Sequence, residues 1–173
     1  MKERFNDLLL LTGIKGMDKL IEHLEEIGFY EAPASTSTDK HSVKPGGLLE
    51  HSLNVYDLAI NLAREKFAFP YVTENDVIVA ALLHDIGKAG CYGKSYYMPN
   101  ILKSGKISES KPYEINKSIS LIQHQDSSVV VASKFIDLTI DQHIAIKYHN
   151  GLYTSDGRDI NGKETPLYLI IHF

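Results

Sequence analysis

Residues Val77 to Leu83 form an unbroken apolar run that leads straight into His84-Asp85-Ile86-Gly87-Lys88. A helix that is apolar nearly all round has no side to give to solvent, so it belongs at the centre of the core. Thr73 and Asp76 form an acidic version of the capping box ahead of the run, and Val72 and Val77 take hydrophobic-staple positions. His84 continues the face of Val77 and Ala81, and Gly87 supplies a stop just past Asp85. An imidazole and a carboxylate are thereby delivered to a buried helix end, where charge must be compensated. The pair reads either as a polar end to a core helix or as a pair of metal ligands.

Other histidines decide between these readings. A helix is predicted from Leu48 to about Lys66, with His51, Val55, Leu58 and Leu62 on one face, which points His51 towards the core. His124 lies just ahead of a helix expected over 128–138, with Asp126 or Ser127 as its cap. Thr139 and Gln142 form a second capping box, opening a helix that runs to Tyr148-His149-Asn150-Gly151. His23, among Glu22, Glu25 and Glu26, and His143, near a helix start, are expected at the surface. Independent core histidines are not expected to collect at four separate buried element ends. Several neutral imidazoles around one carboxylate form a ligand set for one or two divalent ions.

The remaining segments read as follows. Met17, Leu20, Ile21, Leu24 and Ile27 fall at helical spacing before Gly28. From Tyr30 to Gly47 the chain is loop-like, and a loop of that length is expected to be functional or packed down. Lys103-Ser104-Gly105-Lys106 reads as a turn between two short strands, in a stretch where Tyr92, Tyr96 and Tyr97 either wall a pocket or pack the hairpin. Thr165-Pro166 opens a last helix through Leu167 to Ile171, with no C-cap signal before His172 and Phe173.

A chain of 173 residues, 43% apolar and 23% charged, suits one globular domain over residues 1–173. A formal net charge of −4 and the lack of a Lys/Arg-rich run argue against a constitutive binder of nucleic acid or acidic membrane. A small phosphate substrate needs only one local positive site and stays open. The single cysteine, Cys91, excludes an internal disulfide, fits a reducing compartment and is expected to pack in a loop. Leu8 to Leu11 is too short for a signal peptide or membrane span, so a cytoplasmic protein is expected.

Gly46-Gly47-Leu48-Leu49-Glu50-His51-Ser52-Leu53-Asn54-Val55 and Leu82-Leu83-His84-Asp85-Ile86-Gly87-Lys88, taken together, resemble the HD superfamily of metal-dependent phosphohydrolases. His124 with Ser128-Val129, and Ile146-Lys147-Tyr148-His149, add to the likeness. It is greatest to the short single-domain bacterial and phage members, whose upstream loop reads much like Pro33-Ala34-Ser35-Thr36. The resemblance implies an all-α helical bundle with a small β-hairpin inserted after the His-Asp helix. It implies that His51, His84 and Asp85 hold a first divalent ion (Mn, Fe, Co, Ni or Zn). His124 and His149 would complete a second site, with Asp85 bridging.

Asp85 and Lys88 would carry the catalysis, Lys88 offering charge to the phosphate of a nucleotide-like monoester or diester. The family also places an aspartate shortly after the positions matching His172-Phe173, where this chain stops. The expectation is a chain cut short, or a first site with an open coordination position. A weak or inactive HD domain that binds a nucleotide or metal is the alternative, and a di-iron oxygenase a more distant one. The GYP-containing signature of cyclic-di-GMP phosphodiesterases does not follow His149.

Overall fold

The computed structural model describes residues 1–39, 42–64 and 71–172. Among them are seven α-helices and two small two-stranded antiparallel sheets, an all-α architecture with a β excursion. The helices are α1 (Lys2–Leu11), α2 (Met17–Glu26), α3 (Gly47–Ala63), α4 (Glu74–Leu83), α5 (His124–Ser133), α6 (Ile140–Tyr148) and α7 (Pro166–His172). Short 3-10 turns follow several of them, including Ile86–Lys88 after α4 and Gly151–Tyr153 after α6.

The His-Asp helix, α4, is the hub. Every residue from Val77 to Leu83 is fully buried. Each large side chain there contributes about 1.5–3 kcal/mol of apolar burial. Helices α1, α3, α6 and α7 all pack on α4. The apolar core cluster runs from Phe5 in α1 to Ile171 in α7. Helix α1 was not assigned from sequence, yet Phe5 and Leu9, one turn apart, are both buried on its inner face.

Helices α4 and α6 are built alike and lie side by side. Thr73 Oγ1 accepts from the Asp76 N–H at 3.2 Å, and Thr139 Oγ1 accepts from the Gln142 N–H at 3.2 Å. Both capping boxes close reciprocally. They are also joined, since Gln142 Nε2 donates to Asp76 Oδ1 at 2.9 Å. At the far ends the imidazoles of His84 and His149 have ring centroids 4.8 Å apart. With ten and nine residues respectively, the two helices start together, run parallel and finish together.

Several sequence expectations need correction. On α3 the face bearing His51, Val55, Leu58 and Leu62 is not the core face: Leu58 is 67% exposed and Leu62 39%. A second stripe, through Leu48, Leu49, Ser52, Leu53, Tyr56 and Ile60, wins because it offers more apolar area to α4 and to the 3-10 turn Phe29–Glu31. His51 sits at the border of the two stripes. The helix ends at Ala63, and Lys66 lies outside the described residues, as does Phe173.

Helix α4 ends at Leu83 with His84 as its C-cap, so Gly87 is not its terminator. Gly87 answers instead to close packing: a Cβ there would lie 2.1 Å from the carbonyl oxygen of His124. Helix α5 starts at His124 rather than near Ser128, and its N-cap, Gln123, makes no side-chain capping bond. Asp126 is taken by an ion pair with Lys147 on α6, and the Ser128 hydroxyl donates to the His124 carbonyl.

The β excursion is two ladders rather than one hairpin. Strands β1 (Gly90–Cys91) and β2 (Lys94–Ser95) flank a tight turn, and β3 (Tyr97–Pro99) pairs with β4 (Tyr113–Ile115). The expected turn at Lys103–Lys106 forms the far tip, where the Leu102 N–H donates to the Lys106 carbonyl at 2.8 Å and Ile101 bridges Ile107. The long loop before α3 is packed down on this excursion, through Thr38 N–H to the Ser110 carbonyl and Tyr113 N–H to the Thr36 carbonyl. His143 is exposed, as expected. His23 is half-buried, its ring tilted against Phe135 at 5.0 Å.

Candidate metal centre

Five side chains foreseen from the sequence meet at one point. His84 is the C-cap of α4 and His149 the C-cap of α6. In each ring Nδ1–H donates to the carbonyl three residues back, Ala81 or Ile146, at 2.8 Å. That bond fixes the tautomer and aims the Nε2 lone pair outward, the second contact that metal-ligating histidines commonly have. The turn after His84 then swings Asp85 beneath both rings. His51 arrives from the first turns of α3 and His124 from the start of α5.

Asp85 is the hub of the cluster, 1% exposed. Its Oδ2 lies 3.2 Å from His51 Nε2 and 3.3 Å from His84 Nε2. Its Oδ1 lies 3.2 Å from His124 Nε2 and 3.3 Å from His149 Nε2. Two triads result, His51-His84-Asp85 and Asp85-His124-His149, and within each the donor atoms all lie within 4.8 Å of one another.

The electrostatics of the donor set call for a cation. Asp85 Oδ1 is buried with no hydrogen-bond partner among the described residues, although two imidazole nitrogens face it. A buried carboxylate oxygen beside ring nitrogens that offer lone pairs is costly unless a positive charge lies between them. Burial alone would push the Asp85 carboxyl up, but the Lys88 ammonium and the surrounding imidazoles hold it well below the usual carboxylate range. Burial pushes the His84 imidazole down to about 4, against the pull of Asp85, and pushes His124 down as well. Burial thus favours, for His84 and His124, the neutral form that ligates metal. These residues therefore fit one or two divalent ions held between helix ends.

Two cavities open onto the cluster. One, of about 390 Å³, is walled by Tyr96 and Tyr97 of the β excursion, by Ser35 and Thr36 of the long loop, and by Gln123 and Asn150. The other, of about 350 Å³, passes between α3 and α7 along Val55, Leu58 and Ile170. Lys88 borders both, and its Nζ donates to Asp85 Oδ2 at 2.7 Å. Tyr92 does not wall a cavity: it stands 60% exposed in the β1–β2 turn.

Sequence reasoning missed two supporting residues. Asn150 Nδ2 lies 3.2 Å from His124 Nε2, yet Asn150 was read only as part of a helix end. The signal was available, because His149-Asn150 repeats the helix-end pattern of His84-Asp85 with an amide for a carboxylate. Ser128 was seen as part of a weak motif, but not as a clasp. Its Oγ accepts the Gly87 N–H at 2.9 Å and donates to the His124 carbonyl at 2.9 Å, tying the turn that holds Asp85 to the helix that holds His124.

An all-helical bundle whose helix ends converge His and Asp side chains around one buried carboxylate defines the class as helical His-Asp domains with ligand groups that could hold a metal ion. The family comparison is specific: the model of the HD domain matches residues 48–171, and the chain belongs to that family. The match contains all five cluster residues and Lys88. Its members are generally metal-dependent phosphohydrolases. The chain shows no significant match to a curated protein, and none to a solved structure. No described helix is long and apolar enough to cross a membrane.

Proposed function

We propose that this chain is a metal-dependent phosphohydrolase acting on a phosphomonoester or phosphodiester of a nucleotide-like small molecule. The observation that carries the reading is the pair of triads sharing Asp85, with Lys88 beside them at the mouth of the larger cavity. His51, His84 and Asp85 would hold one divalent ion, and Asp85, His124 and His149 a second. Such ions, when bound, supply Lewis acidity towards phosphoryl oxygens and a water acidic enough to attack near neutral pH.

The remaining work falls to the chain's own side chains. Lys88 holds and orients the phosphoryl group with its ammonium. Asn150, beside His124 at the cavity wall, offers its amide to a bound phosphate ester. Tyr96 and Tyr97 offer flat faces to a base or similar ring, their hydroxyls kept neutral because burial and then the Asp85 charge push their pKa upward. Ser35 and Thr36 present hydroxyls on the opposite wall.

Two measurements on the full chain test this. Elemental analysis of protein as purified should find one or two equivalents of transition metal. A panel of nucleotides and phosphate esters, with Mn²⁺, Co²⁺ or Ni²⁺, should include at least one compound that releases phosphate or a nucleoside. Metal-loaded protein inert across the whole panel would refute the enzymatic reading.

A further inference from the structure

The two oxygens of Asp85 are in different circumstances. Oδ2, on the His51-His84 side, already has a cation: Lys88 Nζ at 2.7 Å. It belongs to a set that is satisfied as it stands, with His51 Nε2 and His84 Nε2 3.1 Å apart and able to share one proton. Oδ1, on the other side, has no hydrogen-bond partner among the described residues. The His149 nitrogen facing it has no proton to give, because that ring's proton goes to the Ile146 carbonyl. The His124 nitrogen facing it meets the neutral amide of Asn150 at 3.2 Å and His149 Nε2 at 3.4 Å, and no cation. One half of the centre thus holds an internal counter-ion, whereas the other is an acceptor cluster without one.

Resting on the reading of this cluster as a metal centre, we propose that its halves fill in a set order. The Asp85-His124-His149 half takes the first divalent ion. The Lys88 ammonium holds the position of the second, at Oδ2, until an anion draws it away. An ammonium and a dication on one carboxylate oxygen repel each other, so the His51-His84 half binds weakly while Lys88 stays in place. Lys88 borders both cavities, so a phosphoryl group entering either one can reach its Nζ. Phosphate binding and second-metal binding are then linked, and by reciprocity each strengthens the other. Substrate would complete its own metal site.

Metal binding, not turnover, reads this out. Metal-stripped protein is titrated calorimetrically with Mn²⁺, with and without inorganic phosphate at matched free Mn²⁺. Wild type should bind one equivalent tightly and a second at least tenfold more weakly. Phosphate should close that gap at least tenfold, and so should Lys88→Met without phosphate, whereas Lys88→Arg should leave it open. His51→Ala should keep the tight equivalent and His124→Ala should lose it. His149→Ala serves for the same half, and Lys88→Gln for the ammonium, should a variant fail to fold.

Two equal equivalents in wild type overturn the proposal. So does a tight equivalent that survives His124→Ala but not His51→Ala, or a second equivalent indifferent to Lys88 and to phosphate. A reversed order sinks only the proposal. No Mn²⁺ bound to wild type or any folded variant sinks the metal-centre reading with it.

Discussion

Helices α4 and α6 are near-copies in local design, and they end differently by one functional group. Both open on a capping box, both close on a histidine bonded to the carbonyl three residues back, and both aim that histidine at Asp85. After the histidine α4 continues with Asp85 and α6 with Asn150. The carboxylate goes under the rings and touches every member of the cluster, whereas the amide steadies one neighbour, His124. Helix α4 is also sealed in the core, while α6 exposes its outer face. The same backbone device thus yields the centre of the site in one place and a support in the other.

Making the two ends alike gives the largest expected effect. Asp85→Asn removes the one charge both triads share and strands the Lys88 ammonium. Metal content should drop to background, and turnover at least about a thousandfold, equivalent to about 4 kcal/mol of transition-state stabilisation. Retention of metal by Asp85→Asn would show that the histidines alone define the site.

Next come the two histidines themselves. His84 is 3% exposed and its loss leaves the Ala81 carbonyl buried without a partner, so His84→Ala should cost about 1–3 kcal/mol of stability. That corresponds to a lowering of Tm by roughly 2–4 °C per kcal/mol in a chain of this size. His149→Ala, at a less buried helix end, should lower Tm less. Equal losses would mean that the two helix ends are mechanically equivalent.

The His84 end also carries a pH dependence. The His84 imidazole sits at about 4 in the folded protein, below its ordinary 6.5, because burial disfavours its charged form. The unfolded chain therefore takes up the proton first, and metal-free protein should lose stability as pH falls from about 6.5 towards 4. Asp85, held charged by Lys88 and the imidazoles, adds nothing to the loss in that window. Thermal melts of metal-stripped protein between pH 8 and 5 should show the slope, and His84→Ala should flatten it.

The smallest effect tests the joined caps. Thr139→Ala removes one capping bond and should cost about 1 kcal/mol. Gln142→Ala breaks its own box and the bond to Asp76 in the other, and Gln142 is 3% exposed, so it should cost more. Equal Tm shifts in the two variants would mean that the bridge between the boxes carries no stability.

Much of this is legible in the chain itself. Both capping boxes, the all-apolar run of α4 and the Pro166 start of α7 are local signals, set by backbone hydrogen bonding and side-chain periodicity within a few residues. The five cluster residues were also legible, because His and Asp at the ends of apolar helices are expensive unless they meet. What misled was competition between local signals. Two apolar stripes on α3 were both plausible, and only the fit against α4 chose the one that leaves Leu58 and Leu62 exposed. Gly87 had the look of a helix stop, but the reason for it lies across the fold, in the His124 carbonyl packed where its Cβ would be.

The sequence alone pointed to which residues converge, since that follows from helix periodicity and the cost of burying polar groups. Only the tertiary structure decided how they are shared out. That Asp85 gives one oxygen to Lys88 and leaves the other bare, that Asn150 supports His124, and that two tyrosines close a cavity around the centre are contacts between distant segments. Their distances are set by how helices pack, which no local pattern encodes.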